Sequence, residues 1–242
     1  MSAKRLSLLA PCGLVGLALL LLALSQGAVA SVPEPAASPT VPPAGFFTVC
    51  PGGECDFTTI QDAVDAASDG DTIKVAQGIY TSSAFQVVYV NKAITLTGGY
   101  TTTDWVHSHP VTQATVIDAE GVTRRRGVYI DGSGVATITL ATLTIQRGGG
   151  DHYGRGVYIV TGTVVLRESR LLDNSGGGVY VGGGTATLSG NTFQGNSTED
   201  RGGGVYVAGA TVTLSGNAII SNTAGYHGGG VYSWDSALTL SG

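Results

Sequence analysis

Charge is scarce in this 242-residue chain: Asp, Glu, Lys and Arg supply 12% of it, and the formal net charge is −5. Beyond the first five residues the only basic cluster is Arg124, Arg125 and Arg126. An acidic surface without a basic stripe does not attract polyanions, so nucleic acid is not an expected partner. Cysteine is scarce too. Of three cysteines, Cys12 precedes an early apolar run and is left out of any chemistry, so Cys50 and Cys55 remain, in "CPGGEC". No further Cys and no nearby His completes a four-ligand set, so no metal site is assigned to them. In an oxidising compartment a disulfide closing this small loop is the expected state. Glycine, by contrast, is abundant at 38 residues, yet no strict Gly-X-Y triplet occurs, which excludes a collagen helix.

The start of the chain reads as an address. Lys4 and Arg5 precede an apolar run over residues 14–24, and Ala28-Val29-Ala30 follows. This is the layout of a secretory signal peptide cleaved after Ala30 (residues 1–30), since the run is short for about 30 Å of hydrocarbon. The mature chain is then expected outside the cell or on its surface, without a membrane span. Residues 31–44, "SVPEPAASPTVPPA", have no apolar period and read as an extended linker before a single domain at 45–242.

What fills that domain is repetition. Val-Tyr recurs at Val128, Val157, Val179, Val205 and Val231, in steps of 29, 22, 26 and 26 residues. A period in this range points to a solenoid. Each unit shows two short alternating stretches split by Gly-rich turns and no helical period, so the coils are expected to be strands. Alternation sends three columns inward: Ile138, Val164, Ala186, Val212 and Leu238; Leu140, Leu166, Leu188, Leu214 and Leu240; and Ile145, Leu171, Phe193 and Ile219. Asn174, Asn196 and Asn222 recur where a strand ends, which suits a ladder of side-chain hydrogen bonds between coils and left-handed backbone. The glycine triplets at 176–178, 202–204 and 228–230 suit tight turns or close backbone approach.

Upstream the pattern changes. Ile60, Ala63, Val64 and Ala67 lie on one face of a short helix, with Thr59 and Asp62 as a capping box and Gly70 as C-cap. Strands are expected around residues 73–75, 87–90, 94–96 and 115–117. The runs "TTIQDAVDAASDGDTIKVAQGIY", "VNKAITLTGGY" and "ATVIDAEG", followed by "GGGVYV…TLSGN…N" units, resemble bacterial secreted proteins of the pectin-lyase-like superfamily. The resemblance covers residues 57–242 and implies an all-β fold, a right-handed parallel β-helix capped by a short N-terminal α-helix. It implies no single activity, because this fold hosts lyases, hydrolases, esterases and adhesins. None of the motifs of those enzymes is recognisable here, so no catalytic residue is carried over.

Two constellations remain. Loops entering the Val-Tyr strands carry Arg147, Asp151, His152 and Arg155, then Asp173, then Glu199, Asp200 and Arg201, then Tyr226 and His227. Asp151, His152, Arg155, Asp173 and Asp200 are the catalytic candidates, against a reading of these charges as solvated turns. Tyr129, Tyr158, Tyr180, Tyr206 and Tyr232 point outward if their Val and Ile neighbours point inward. Tyr158, Tyr180, Tyr206 and Tyr232 are the ligand-binding candidates, since a phenol offers a sugar an apolar face and a polar tip. Stacked rings show edges rather than faces, which favours a structural role. Trp105, His107 and His109 are read as a packed loop rather than a metal site. The expectation is thus a structural or binding β-helix that engages polysaccharide, needing no cofactor. The alternative is a polysaccharide lyase or glycoside hydrolase working along the solenoid face, with Ca²⁺ in the lyase case. The last unit stops partway round a coil at Gly242, so further coils or a partner chain are expected to cover that end.

Overall fold

The structure is a computed structural model that describes residues 45–150 and 153–242. The expected leader and linker, and candidates Asp151 and His152, lie outside the described residues.

The chain winds through about seven turns of parallel strands, and each full turn has three faces. A first sheet has eight strands, from Phe46–Val49 to Ala237–Ser241. A second has six, from Gly78–Tyr80 to Ala218–Ile220, and a third has six, from Gln86–Val90 to Val231–Trp234. One turn runs Thr163–Arg167, Arg170–Leu172, Val179–Val181 and returns to the first sheet at Thr185–Ser189. The sequence shows two stretches per unit because strands such as Arg170–Leu172 are three residues long, too short to display alternation. Strands Phe46–Val49 and Gly78–Tyr80 were likewise not legible in it, whereas the four expected near residues 73, 87, 94 and 115 are present.

After one register shift between Lys74 and Ala76, register is kept residue for residue: Leu140 pairs with Leu166, Leu166 with Leu188, Leu188 with Leu214 and Leu214 with Leu240. Like therefore sits on like at the strand spacing of about 4.8 Å. The inner columns are sealed except in the last turn, where Leu240 is 64% exposed while Leu188 is 0% exposed. Burying each such side chain contributes about 1.5–3 kcal/mol.

The corners need polar continuity, and amides supply it. Asn174 Nδ2 donates to Asn196 Oδ1 at 2.9 Å, and Asn196 Nδ2 donates to Asn222 Oδ1 at 2.9 Å. Each amide also bonds the preceding turn's backbone, as Asn196 Nδ2 does to Leu171 O at 2.9 Å. The left-handed residue is the one before each Asn, with φ of 52° at Asp173, 68° at Gly195 and 53° at Ser221. A second ladder, not foreseen, runs through another corner: Ser169 N–H donates to Asn191 Oδ1 at 3.0 Å, and Asn191 Nδ2 to Asn217 Oδ1 at 3.1 Å. The third glycine of the first two triplets, Gly178 and Gly204, lies against the first of these ladders and the backbone of the next turn. A Cβ on Gly204 would meet Gly230 O at 2.5 Å and Asn222 Nδ2 at 3.2 Å.

The first turn is closed by the helix Ile60–Ala66, which buries Ile60, Ala63 and Val64 in the core. Thr59 is its N-cap, and its hydroxyl accepts from Asp62 N–H at 3.1 Å. The C-cap is Ala67 rather than Gly70, whose φ of 93° serves the following turn. Lys92 does the capping expected of glycine: its Nζ donates to the carbonyls of Val64, Asp65 and Ala67 at 3.0, 2.7 and 2.7 Å. A cation on the open carbonyls of a helix C-terminus is favourable. Gln61 covers a sheet edge, accepting from Tyr89 N–H at 2.7 Å and donating to Tyr89 O at 3.3 Å. Nearby, a disulfide joins Cys50 and Cys55.

Leu188→Ala is expected to lower unfolding free energy by about 2–5 kcal/mol, as for other buried Leu deletions. Leu188→Asp places an unpaired charge in the column and should abolish folding. Circular dichroism melts check both; a Leu188→Asp protein as β-rich and stable as the parent would refute the inward column.

Candidate functional site

The outward face of the third sheet carries a continuous column of phenols. Val157 and Ile159 are buried and point inward, which turns Tyr158 outward; the same holds around Tyr129, Tyr180 and Tyr206. Tyr89 extends the column by one coil, a member missed because its Val88-Tyr89 pair lies upstream of the glycine-rich units. Ring centroids are 5.7 Å apart for Tyr89–Tyr129, 5.4 Å for Tyr129–Tyr158 and 4.7 Å for Tyr158–Tyr180. Tyr129 and Tyr158 are parallel to within 1°, so faces meet faces and only edges are presented outward. The guanidinium of Arg126 lies over Tyr158 at 4.6 Å, a cation–π contact.

Further along, the stacking gives way. Tyr180–Tyr206 and Tyr206–Tyr232 are edge-on, with interplanar angles of 79° and 64° and centroids 5.2 Å apart. The cause is Tyr153, which reaches in from the loop after Thr144–Gln146, stacks on Tyr180 at 5.5 Å and meets Tyr206 edge-on at 4.6 Å. Tyr206 is left 9% exposed. Tyr153 donates its hydroxyl to Asp200 Oδ2, and Arg201 Nη1 lies 3.2 Å from Asp200 Oδ1. The hydrogen bond to Asp200, then burial, then the carboxylate's charge raise the Tyr153 phenol from 10.0 to about 12. Burial, followed by neighbouring phenols, also raises Tyr180 and Tyr206. Arg201, Tyr206, Tyr232 and Trp234 line a cavity of about 330 Å³ at the end of the column. Trp234 is 64% exposed there, Arg201 lies over the Tyr232 ring at 5.5 Å, and the His227 ring stacks on Tyr232 at 6.0 Å.

The described catalytic candidates, Arg155, Asp173 and Asp200, do not form one edge. Arg155 is 2% exposed and buried beside Gly148 and Gly150, with Nη1 donating to Arg124 O at 3.0 Å. Asp173 is exposed in its corner, and no hydrogen bond or ion pair joins it to Asp200. Arg147 turns to Asp118, a carboxylate that sequence inspection passed over because the two stand 29 residues apart. The Asp118 side chain is 1% exposed and accepts from Arg147 Nε at 2.8 Å, from Arg147 Nη2 at 2.5 Å and from Gln146 Nε2 at 2.8 Å. Burial pushes Asp118 up, but bonds from Arg147, Gln146 and Glu120 N–H outweigh it and hold the carboxyl below its ordinary value.

In the long loop after the first coil, Trp105 stacks on Tyr100 at 5.9 Å and Lys74 Nζ donates to Trp105 O at 2.6 Å. His107 Nδ1 lies 3.1 Å from Asp104 Oδ2. Hydrogen bonds from Val106 N–H and His107 N–H, then from the His107 ring, lower Asp104 to about 2. Among the described residues no three of His, Cys, Asp and Glu come together in a cage that would hold a cation.

Residues 124–239 match the family described as right handed beta helix region. Together with the parallel coils, this makes the chain a right-handed parallel β-helix repeat protein, an architecture that fits the pectin-lyase-like superfamily. Comparisons with curated proteins and with solved structures returned no match.

Two pH responses follow. Asp118, with its lowered pKa, contributes stability that is whole above 3.8 and is lost as pH falls through the folded value. Melting temperatures of Asp118→Asn and the parent should therefore converge in acid; a gap that stays constant would refute the charged pair. Tyr153 has the opposite sign: its raised pKa stabilises the fold below 10.0, and this is lost as pH rises through about 12. Burial raises Tyr80, Tyr180 and Tyr206 as well, so ultraviolet titration of Tyr153→Phe should show one fewer late-titrating phenol than the parent rather than none.

Proposed function

We propose that the protein is an exported, non-catalytic glycan-binding β-helix that holds polysaccharide at the Arg201–Trp234 end of its tyrosine column. The observation that carries this reading is the break in the stack. Up to Tyr180 the phenols cover one another, but the cavity beside it presents the exposed indole of Trp234 together with Arg201 and the edges of Tyr206 and Tyr232. An exposed aromatic face takes the apolar face of a sugar ring, and flanking donors orient its hydroxyls. The ligand-binding role thus centres on Tyr206 and Tyr232, while Tyr158 and Tyr180 support the column.

Binding is favoured over cleavage by the state of the carboxylates. Glycoside hydrolysis uses two carboxyl groups flanking one bond. Asp118 is held by Arg147 and Gln146, and Asp200 by Tyr153 and Arg201. The leader and linker composition supports export, and the aromatic face then meets extracellular polysaccharide.

Affinity electrophoresis against neutral and acidic polysaccharides tests this, with product release followed in parallel, with and without Ca²⁺. Retarded migration is expected for at least one polysaccharide. Trp234→Ala should weaken it about tenfold, the scale of one aromatic contact. Unsaturated or reducing-end products would replace the reading with the lyase or hydrolase alternative. Binding unchanged in Trp234→Ala would overturn the assigned site.

A further inference from the structure

Tyr153 stands outside the repeat, and its surroundings differ from those of every other ring in the column. It touches two column members, Tyr180 and Tyr206, and its hydroxyl is given to the Asp200 carboxylate. Among the described residues no other tyrosine donates to a carboxylate; Tyr80, for comparison, donates to the carbonyls of Val49 and Ala76. The column it joins is unbroken from Tyr89 to Tyr232, with centroids no more than 5.7 Å apart.

These facts have a redox consequence. A phenol that loses one electron becomes a strong acid, so oxidation is easiest where a base already holds the proton. Rings in van der Waals contact exchange an electron vacancy readily, so a vacancy created at any exposed ring in the column can settle where the proton can leave. We propose that the Tyr153–Asp200 pair is the oxidation site of this tyrosine ladder, at which one-electron oxidation leads to a covalent link between Tyr153 and Tyr180 or Tyr206. The oxidant is a peroxide-driven haem peroxidase, the class of reagent that oxidises phenols outside cells.

Tyr153 gives one electron to the oxidant and its hydroxyl proton to Asp200, leaving a neutral phenoxyl radical and a carboxylic acid. A second electron and proton leave Tyr180 or Tyr206. The two radicals combine through the ring carbons next to oxygen, and each ring regains aromaticity by moving that carbon's hydrogen to its oxygen. One hydrogen peroxide accepts the two electrons and two protons and becomes two waters. The product ties the long loop after Thr144–Gln146 to the stacked coils, with the protein shorter by two hydrogens.

The test uses the full chain, dilute enough to remain uncoupled between molecules, with hydrogen peroxide and a haem peroxidase. Dityrosine fluorescence should appear in the single-chain band, and peptide mapping should join the Tyr153 peptide to the one holding Tyr180 or Tyr206. Tyr153→Phe should abolish that joined peptide. Asp200→Asn should slow its formation about a hundredfold, the contribution of a positioned base, and make the rate rise with pH as solvent takes over as proton acceptor. Asp200→Glu should restore the rate. Circular dichroism of each variant confirms that the coils are intact. A link that forms without Tyr153, or a rate and pH profile indifferent to Asp200→Asn, would overturn the proposal. The result does not depend on glycan binding, so either reading can fail alone.

Discussion

Parallel pairing in strict register is the constraint on which everything else here depends. Because each strand hydrogen-bonds to its counterpart one turn on, every side chain lies about 4.8 Å from its own equivalent. A residue type is therefore tolerated only if it packs well against itself. Leu on Leu fills the interior, Asn on Asn carries hydrogen bonds along two of the three corners, and Tyr on Tyr stacks outside. A charge repeated in the same way would repel itself, which gives a physical reason for a chain with only 12% charged residues.

The same rule explains the special chemistry of the first turn. A stack of parallel strands begins with unpaired backbone groups and an open apolar interior. The helix Ile60–Ala66 covers the interior, Gln61 satisfies the N–H and C=O of Tyr89, and Lys92 satisfies the carbonyls the helix leaves open. None of these three devices repeats, because none has to stack on a copy of itself.

The proposed binding recess, too, lies where the repetition fails. As long as the phenols stack face to face they stabilise the sheet and present little to a ligand. Tyr153 enters from an irregular loop, displaces the stack into edge-on geometry and brings a carboxylate with it. That one insertion separates a supporting column from an aromatic recess and gives one phenol a proton acceptor. The recess and the Tyr153–Asp200 pair are neighbours for this reason.

The repeat, the inward aliphatic columns, the outward phenols, one Asn ladder and the capping helix were all readable in the chain, because stacked coils write the same chemistry at a near-constant period. Sequence alone determined these. The three-faced coil was hidden, since strands such as Arg170–Leu172 offer a single inward side chain and no alternation. The second ladder was hidden within "TLSGN", where Asn191 looks like an ordinary turn residue until Ser169 and Asn217 are placed above and below it. Only the tertiary structure joined Arg147 to Asp118, sent Arg155 inward and set Tyr153 against Asp200. These contacts belong to loops and turns that leave the register. Their partners are fixed by the path the backbone takes around a corner, and no period in the sequence records that path.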